Sequence, residues 1–101
     1  MAVPFLVDLK DKVAVVTGGG GILCSVMAKA LAECGAKVAV LDLREENAVK
    51  VAEEINAAGF TAMGLSANVL ELTSLQAAEE KIRAAWGPCD ILVNGAGGNN
   101  P

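Results

Sequence analysis

A run of four glycines is the part of this sequence best suited to hold a charged ligand. Glycine has no Cβ, so such a run can adopt positive φ angles and lie directly against a bulky group. The apolar segment that follows predicts a helix, whose first amides are unpaired and carry the positive end of the helix dipole. The candidate phosphate-binding residues are therefore Gly18, Gly20, Gly21, Ile22 and Leu23.

Polar or small residues also follow three other apolar runs. They are Asp42, Asn68, Val69, Gly95, Ala96 and Gly97. In open parallel sheets, ligands bind beyond the carboxyl ends of the strands, at the point where the strand order reverses. We therefore expect these residues and the glycine turn to line a single crevice.

Asp42 predicts the kind of nucleotide that this crevice binds. It lies 24 positions after Gly18, at the end of the second apolar run. A carboxylate there accepts hydrogen bonds from both hydroxyls of an adenosine ribose and repels a 2′-phosphate, so NAD is favoured over NADP. The nearby Arg44 weakens this preference, because a guanidinium offsets the repulsion. The structural alternatives are a solvated loop acid at Asp42 and a tight strand-to-helix turn at the glycines.

The elements that must position these residues alternate between two periods. Apolar runs predict strands at residues 12–16, 38–41, 61–67 and 90–93, although Gly64 lowers the strand propensity of the third. Helical periodicity predicts helices at residues 22–34, 45–58 and 70–86. The β-α-β-α-β-α-β order predicts an α/β fold, a partial Rossmann fold whose parallel four-stranded sheet has the order 3-2-1-4 and helices on both faces.

Each predicted helix has an apolar flank that we expect to face the sheet. These flanks comprise Ile22, Leu23, Val26, Met27, Ala30 and Leu31 in the first helix, Ala48, Val51, Ala52 and Ile55 in the second, and Leu75, Ala78, Ile82 and Ala85 in the third.

Composition narrows the classes of partner. The 101 residues suffice for one small domain, and 53 % are hydrophobic, as expected for a parallel sheet buried on both faces. The net charge of −4, without a basic cluster, argues against nucleic acid and anionic membranes. Three cysteines without Cys-x-x-Cys spacing, and no histidine, argue against zinc and favour reduced thiols in the cytoplasm. No run approaches the ~20 apolar residues of a membrane span.

Taken together, these motifs resemble a known family. Thr17 and the glycines after it, Asp42, Asn68 with Val69, and the segment from Asn94 to Gly97 are similar, in order and in spacing, to the coenzyme-binding half of the short-chain dehydrogenase/reductase family. The resemblance covers essentially the whole chain. It implies a Rossmann fold, a nicotinamide dinucleotide as cofactor, hydride transfer, and a parent protein that forms a homo-oligomer, a dimer or a tetramer.

The sequence also departs from the usual motifs of that family. Against the family pattern Thr-Gly-x-x-x-Gly-x-Gly, Ile22 and Cys24 stand where the two later glycines belong, and a glycine stands instead at Gly21. Asn68 replaces an aspartate, and Gly95 replaces the second asparagine of Asn-Asn-Ala-Gly. These departures leave open which amides hold the pyrophosphate.

Two short strings resemble one branch of the family. They are the glycine turn with its Ile-Leu-Cys continuation and the final Gly-Ala-Gly-Gly-Asn-Asn-Pro. Both are similar to the sugar-acid reductases known as D-mannonate oxidoreductase or fructuronate reductase. The resemblance therefore implies a small sugar acid as substrate.

The catalytic residues that the resemblance implies are missing from these residues. Family members use a Ser, Tyr and Lys set located after the fourth strand, and this chain contains no tyrosine. We therefore expect residues 1–101 to be the N-terminal part of a single dinucleotide-binding Rossmann domain, truncated after strand four, within a longer enzyme. The alternative is a non-catalytic nucleotide-binding or regulatory module on the same fold.

Overall fold

The computed structural model describes residues 8–18 and 21–95. Strands and helices alternate along this part of the chain, as predicted, and each lies within two residues of its predicted bounds. The elements are β1 (Val13–Thr17), α1 (Ile22–Glu33), β2 (Lys37–Asp42), α2 (Glu45–Ala57), β3 (Thr61–Ser66), α3 (Leu72–Trp86) and β4 (Ile91–Asn94).

The four strands form one parallel sheet with the order β3-β2-β1-β4, which confirms the predicted partial Rossmann fold. Thr17 of β1 is paired with Leu41 of β2 and with Asn94 of β4, and Leu41 is paired with Leu65 of β3. The carboxyl ends of all four strands therefore lie level along one edge of the sheet.

The core consists of two apolar layers, one on each face of the sheet. Because successive side chains of a strand point to opposite faces, β1 and β2 contribute to both layers. The layer under α1 and α2 contains Ala14, Val16, Val38, Val40, Ala28, Ala32, Ala48, Val51 and Ile55. The layer under α3 contains Val13, Val15, Ala39, Leu41, Ala67, Ala78 and Ile82. Burial on both faces explains why these strands are continuously apolar.

The predicted inward faces of α2 and α3 agree with the structure except at one residue. All four residues predicted for α2 are buried. In α3, Ala78 and Ile82 are buried and Leu75 is half-buried, but the prediction for Ala85 was wrong because that residue is exposed. Trp86, four positions after Ile82, packs against the core in its place. A step of four residues keeps to the same helical face as well as a step of three, so spacing alone did not separate the two positions.

The predicted inward flank of α1 was wrong for its first two turns. Ile22 is 88 % and Leu23 73 % exposed, and Val26 and Met27 are also exposed. The residues that pack on β1 and β2 are small, chiefly Ala28 and Ala32. Because α1 is apolar on nearly every side, its hydrophobic pattern does not identify one face, and the helix turns its smallest side chains towards the sheet.

The close packing of α2 explains why a glycine, Gly64, stands in the middle of β3. A Cβ at this position would lie 2.6 Å from the backbone carbon and oxygen of Ala48 and from the backbone nitrogen of Val49, both in α2. Helix α2 therefore packs so closely on β3 that no side chain fits between them. The strand forms despite the low strand propensity of glycine because this close contact compensates for it.

β3 is the edge strand next to β2, and one side chain covers part of its outer edge. The side-chain amide of Asn56 in α2 donates a hydrogen bond to the carbonyl oxygen of Ala62 at 3.0 Å, and its oxygen accepts one from the Ala62 N–H at 2.9 Å. Asn56 thus satisfies both backbone groups of one edge residue.

Candidate functional site

The ends of β1 and β4 are tied together where the strand order reverses. The hydroxyl of Thr17 donates a hydrogen bond to the side-chain oxygen of Asn94 at 2.8 Å, and the Gly95 N–H donates one to the Thr17 carbonyl oxygen at 3.2 Å. β1 is also paired with β2 on its other side. The switch point of the sheet therefore lies directly beyond Thr17, where ligands of open parallel sheets bind.

The described part of the glycine turn connects Thr17 to α1. Gly18 has a φ of 70°, in the left-handed region that favours glycine, and the Gly21 N–H donates a hydrogen bond to its carbonyl oxygen at 3.1 Å. Gly21 is the N-cap of α1 but has no side chain with which to cap it. Ile22 and Leu23 begin the helix and are exposed. The turn thus presents a helix N-terminus to solvent at the carboxyl edge, an arrangement that suits an anion.

Asp42 is the last residue of β2 and is half-buried at the same edge of the sheet. Its Oδ1 accepts a hydrogen bond from the Arg44 N–H at 3.0 Å, which holds the carboxylate against the start of the following loop. Asp42 also joins the next strand, because its carbonyl oxygen accepts a hydrogen bond from the Ala67 N–H at 3.0 Å. A negative charge therefore lies at the strand end next to β1.

Asn68 and Val69 lie in the loop between β3 and α3, and both are half-buried. The Asn68 side-chain oxygen accepts a hydrogen bond from the Leu70 N–H at 2.9 Å, and the Asn68 N–H donates one to the Ser74 hydroxyl at 2.8 Å. These bonds give the loop a defined turn beside Asp42 and Ala67.

The structure places Gly18, Gly21, Ile22, Leu23, Asp42, Asn68, Val69 and Gly95 at the carboxyl edge of the sheet or in the loops that leave it. Gly20, Ala96 and Gly97, which the sequence also singled out, lie outside the described residues.

Two polar residues that organise this edge were not assigned these structural roles from the sequence. Thr17 is buried, and its hydroxyl connects β1 to β4. Ser74 accepts the Asn68 N–H from the first turn of α3. A threonine at the end of a buried strand indicates that its hydroxyl could connect neighbouring strands. A serine in a predicted helix gave no indication that it would accept a hydrogen bond from Asn68.

A separate apolar groove of about 250 Å³ lies between α3 and β4, and we call it the α3–β4 groove. Its lining includes Val15, Leu75, Ile82 and Leu92, and none of the predicted site residues. Leu92 is 65 % exposed although it belongs to a sheet strand. The groove therefore lies beside the candidate site and not within it.

Within residues 8–18 and 21–95, no three His, Cys, Asp or Glu side chains are grouped so that they could hold a metal ion. Over the same ranges, no helix has the length and the apolar character needed to cross a bilayer.

Known proteins resemble this chain in both sequence and structure. The family model described as short chain dehydrogenase matches residues 12–101. An uncharacterized oxidoreductase of Haemophilus influenzae is 50 % identical over 94 residues, which are 93 % of this chain and 33 % of that protein. The uncharacterized oxidoreductase UxuB of Bacillus subtilis is 48 % identical over 99 residues, 98 % of this chain and 36 % of that protein.

A crystal structure of an oxidoreductase from Haemophilus influenzae, provisionally assigned to D-mannonate, contains bound NAD. It superposes on this chain with a TM-score of 0.88 at 50 % identity, covering 93 % of this chain and 34 % of that one. The chain thus spans about a third of the length of the relatives that it matches. Because the family model covers nearly the whole sequence and the fold agrees, the chain belongs to the short chain dehydrogenase family.

Proposed function

We propose that this chain is the coenzyme-binding part of an NAD-dependent oxidoreductase that transfers a hydride between the nicotinamide and a small sugar acid. The observation that carries this proposal is the level carboxyl edge of the sheet, where the uncapped start of α1 and the Asp42 carboxylate follow neighbouring strands. A helix N-terminus suits a pyrophosphate, and a carboxylate at the end of the next strand suits a ribose.

The candidate residues form four groups, each with its own role in this proposal. The amides of Gly18, Gly20, Gly21, Ile22 and Leu23 hold the pyrophosphate. Asp42 accepts hydrogen bonds from the adenosine ribose, and the turn at Asn68 and Val69 borders the adenine. Gly95, Ala96 and Gly97 let the backbone after β4 approach the nicotinamide half of the cofactor. The bound nicotinamide supplies or accepts the hydride, and these residues bind and orient it.

The sugar-acid substrate rests on two supports. One is the glycine turn with its Ile-Leu-Cys continuation, which resembles that of the D-mannonate and fructuronate enzymes. The other is the NAD-bound neighbour, which is itself provisionally assigned to D-mannonate. The parent's cytoplasmic location and its assembly into a dimer or tetramer stay predictions.

We further propose that residues 1–101 are the N-terminal part of a single dinucleotide-binding domain, and that the catalytic Ser, Tyr and Lys lie after them. The relatives, which are about three times as long, support this division. The alternative is a non-catalytic nucleotide-binding or regulatory module, since the same fold serves many functions. The coding sequence beyond Pro101 decides between them: a Ser followed by Tyr-x-x-x-Lys supports the enzyme, and a stop codon supports the module.

Calorimetric titration with NAD and NADP tests the cofactor assignment. The variant Asp42→Asn keeps an oxygen that can accept the Arg44 N–H but removes the charge. A hydrogen bond to a charged group contributes about 1.5–3 kcal/mol, so NAD affinity should fall roughly ten- to a hundredfold. The affinity for NADP relative to NAD should rise.

The matched control is Asp11→Asn. Asp11 precedes β1, at the opposite edge of the sheet, and its φ of 66° is one that asparagine tolerates. This variant should bind NAD as the unsubstituted chain does. An unchanged NAD affinity in Asp42→Asn, or an equal loss in both variants, contradicts the role assigned to Asp42.

A further inference from the structure

Cys24 and Gly95 lie directly against each other across the switch point of the sheet. Cys24 is in the first turn of α1, and Gly95 is the first residue after β4. A Cβ placed on Gly95 would overlap the Cys24 Sγ, and it would lie 3.2 Å from the Thr17 carbonyl oxygen and 3.8 Å from the Cys24 Cβ. The space that a side chain at position 95 would need is therefore already filled by the cysteine.

Little freedom exists for Gly95 to move away from this contact. Its N–H donates a hydrogen bond to the Thr17 carbonyl oxygen, and the preceding Asn94 accepts the Thr17 hydroxyl. Cys24 is held as well, since its half-buried side chain packs against the core layer under α1 and α2. A larger residue at position 95 therefore requires a shift of the Cys24 side chain or of the Gly95 backbone.

The two residues also depart from the family pattern in opposite senses. Cys24 stands where that pattern has a glycine, and Gly95 stands where it has an asparagine. Because a Cβ at position 95 would overlap the Cys24 Sγ, a side chain cannot be placed at position 95 beside Cys24 without a shift.

We propose that Cys24 and Gly95 form a matched steric pair that sets how closely the first turn of α1 approaches the end of β4. Both elements border the crevice, so the pair positions the amides at the start of α1 relative to the backbone after β4. Cys24 is thus a positioning residue that does not itself contact the cofactor. This inference about the crevice rests on the proposed NAD site.

A double-substitution cycle on the chain tests the pair, with thermal unfolding and NAD titration as two readouts. Gly95→Asn should lower Tm by roughly 5 °C or more, in keeping with the cost of forcing a side chain into filled space. It should also weaken NAD binding about tenfold or more. Cys24→Gly should lower Tm by a few degrees, because glycine disfavours the helix and leaves a gap.

The double variant Cys24→Gly with Gly95→Asn should recover most of the Tm and of the NAD affinity lost in Gly95→Asn. The control is Cys34→Gly with Gly95→Asn, since Cys34 caps the other end of α1. This control should recover neither quantity. If Gly95→Asn does not fold, Gly95→Ala tests the same overlap with a single methyl group.

The outcomes separate this inference from the proposed function. Recovery of both Tm and NAD affinity supports the pair as a positioning device. Additive effects on Tm overturn the pairing, and recovery of Tm with the same NAD affinity in every variant overturns the positioning role. If the unsubstituted chain does not bind NAD, the proposed function of this chain fails, and the Tm cycle alone then decides whether the steric pair exists.

Discussion

Gly64 is a residue at which the packing of the sheet leaves no room for a side chain. In most strands glycine is a weakness, because it gains nothing from packing and loses more conformational freedom than any other residue. Here its missing side chain allows α2 to approach β3, and Ala48 and Val49 occupy the space instead. The same residue that lowered the strand propensity of β3 is therefore required for the contact between these two elements.

Substitution at Gly64 distinguishes strand propensity from packing by the sign of its effect. If propensity decided, Gly64→Ala would stabilise the fold by roughly 0.5–1 kcal/mol. Because the new Cβ would lie 2.6 Å from backbone atoms of α2, we expect a destabilisation of about 1–3 kcal/mol or more. Urea denaturation measures the free energy of unfolding, and a more stable variant would contradict the packing explanation.

The sequence predicted where some residues lie in the fold, but not which side chains they contact. Asp42 was placed correctly at a strand end because a charged residue after a buried run marks where the strand ends. The contact between Cys24 and Gly95 was not predictable, since it joins residues far apart in the chain through side-chain volume alone. Motifs thus predicted position along the chain, whereas contacts required the fold.

Helices α1 and α2 cover the same face of the sheet, and an ion pair joins them. Lys29 of α1 lies 2.7 Å from a carboxylate oxygen of Glu54 in α2, with both side chains partly exposed. The hydrogen bond and the charge of Lys29 lower the pKa of Glu54 below its ordinary value. In α3, Arg83 and Glu79 form a longer pair of 3.8 Å within one helix.

The lowered pKa of Glu54 predicts how the stabilisation from the Lys29–Glu54 ion pair depends on pH. The folded state binds fewer protons at Glu54 than the unfolded state, so its contribution is present above the ordinary carboxyl pKa of 4.5 and is lost as the pH falls through the lower folded value. At neutral pH and low salt, Glu54→Gln should lower Tm by no more than a few degrees, because exposed ion pairs contribute little.

Thermal unfolding of Glu54→Gln over a pH series checks this expectation. The difference from the unsubstituted chain should shrink as the acid range is entered and should also shrink in high salt. Glu79→Gln, which removes the longer pair within α3, is the control and should have a smaller effect at every pH. A Glu54→Gln difference that grows on acidification would contradict the role of Lys29.

Among the elements, the sequence predicted type and order well, and helix orientation less evenly. The alternation of the two periods located the seven elements in the described part of the chain, since each apolar run is either short and β-branched or long and periodic. The inward face of α2 was correct because its charged residues occupy the opposite side. For α1 no such contrast exists, so only the fold shows that Ala28 and Ala32, and not Ile22 and Leu23, face the sheet.

For the molecule as a whole, the α3–β4 groove is the surface that the proposed longer protein explains. It is mostly apolar, and beside it Leu92 is exposed on a strand whose neighbours in β1 are buried. Covering apolar surface of this kind stabilises the protein, because the surface is removed from water. In the longer enzyme proposed above, the part that follows these residues would pack here, beside the proposed cofactor site.

Because the catalytic residues of the proposed enzyme lie outside these residues, we predict that the chain binds NADH without oxidising it. The 101 residues carry the candidate cofactor site but no tyrosine to serve as proton donor. The chain should therefore bind NADH, detected by calorimetry, yet oxidise none of it when D-fructuronate is added. Loss of NADH absorbance above the rate without protein would contradict this expectation, and the full-length parent should show such turnover.

The side chain of Asn56 has a consequence for how the protein behaves in a crowded solution. An uncovered edge strand is a template on which strands of other molecules assemble, and β3 occupies the edge beyond β2. By bonding both backbone groups of Ala62, Asn56 occupies the place that an incoming strand would take. We therefore expect the Asn56 side chain to oppose the addition of a strand at Ala62. Asn56→Ala should remove this protection against aggregation while leaving the candidate cofactor residues in place.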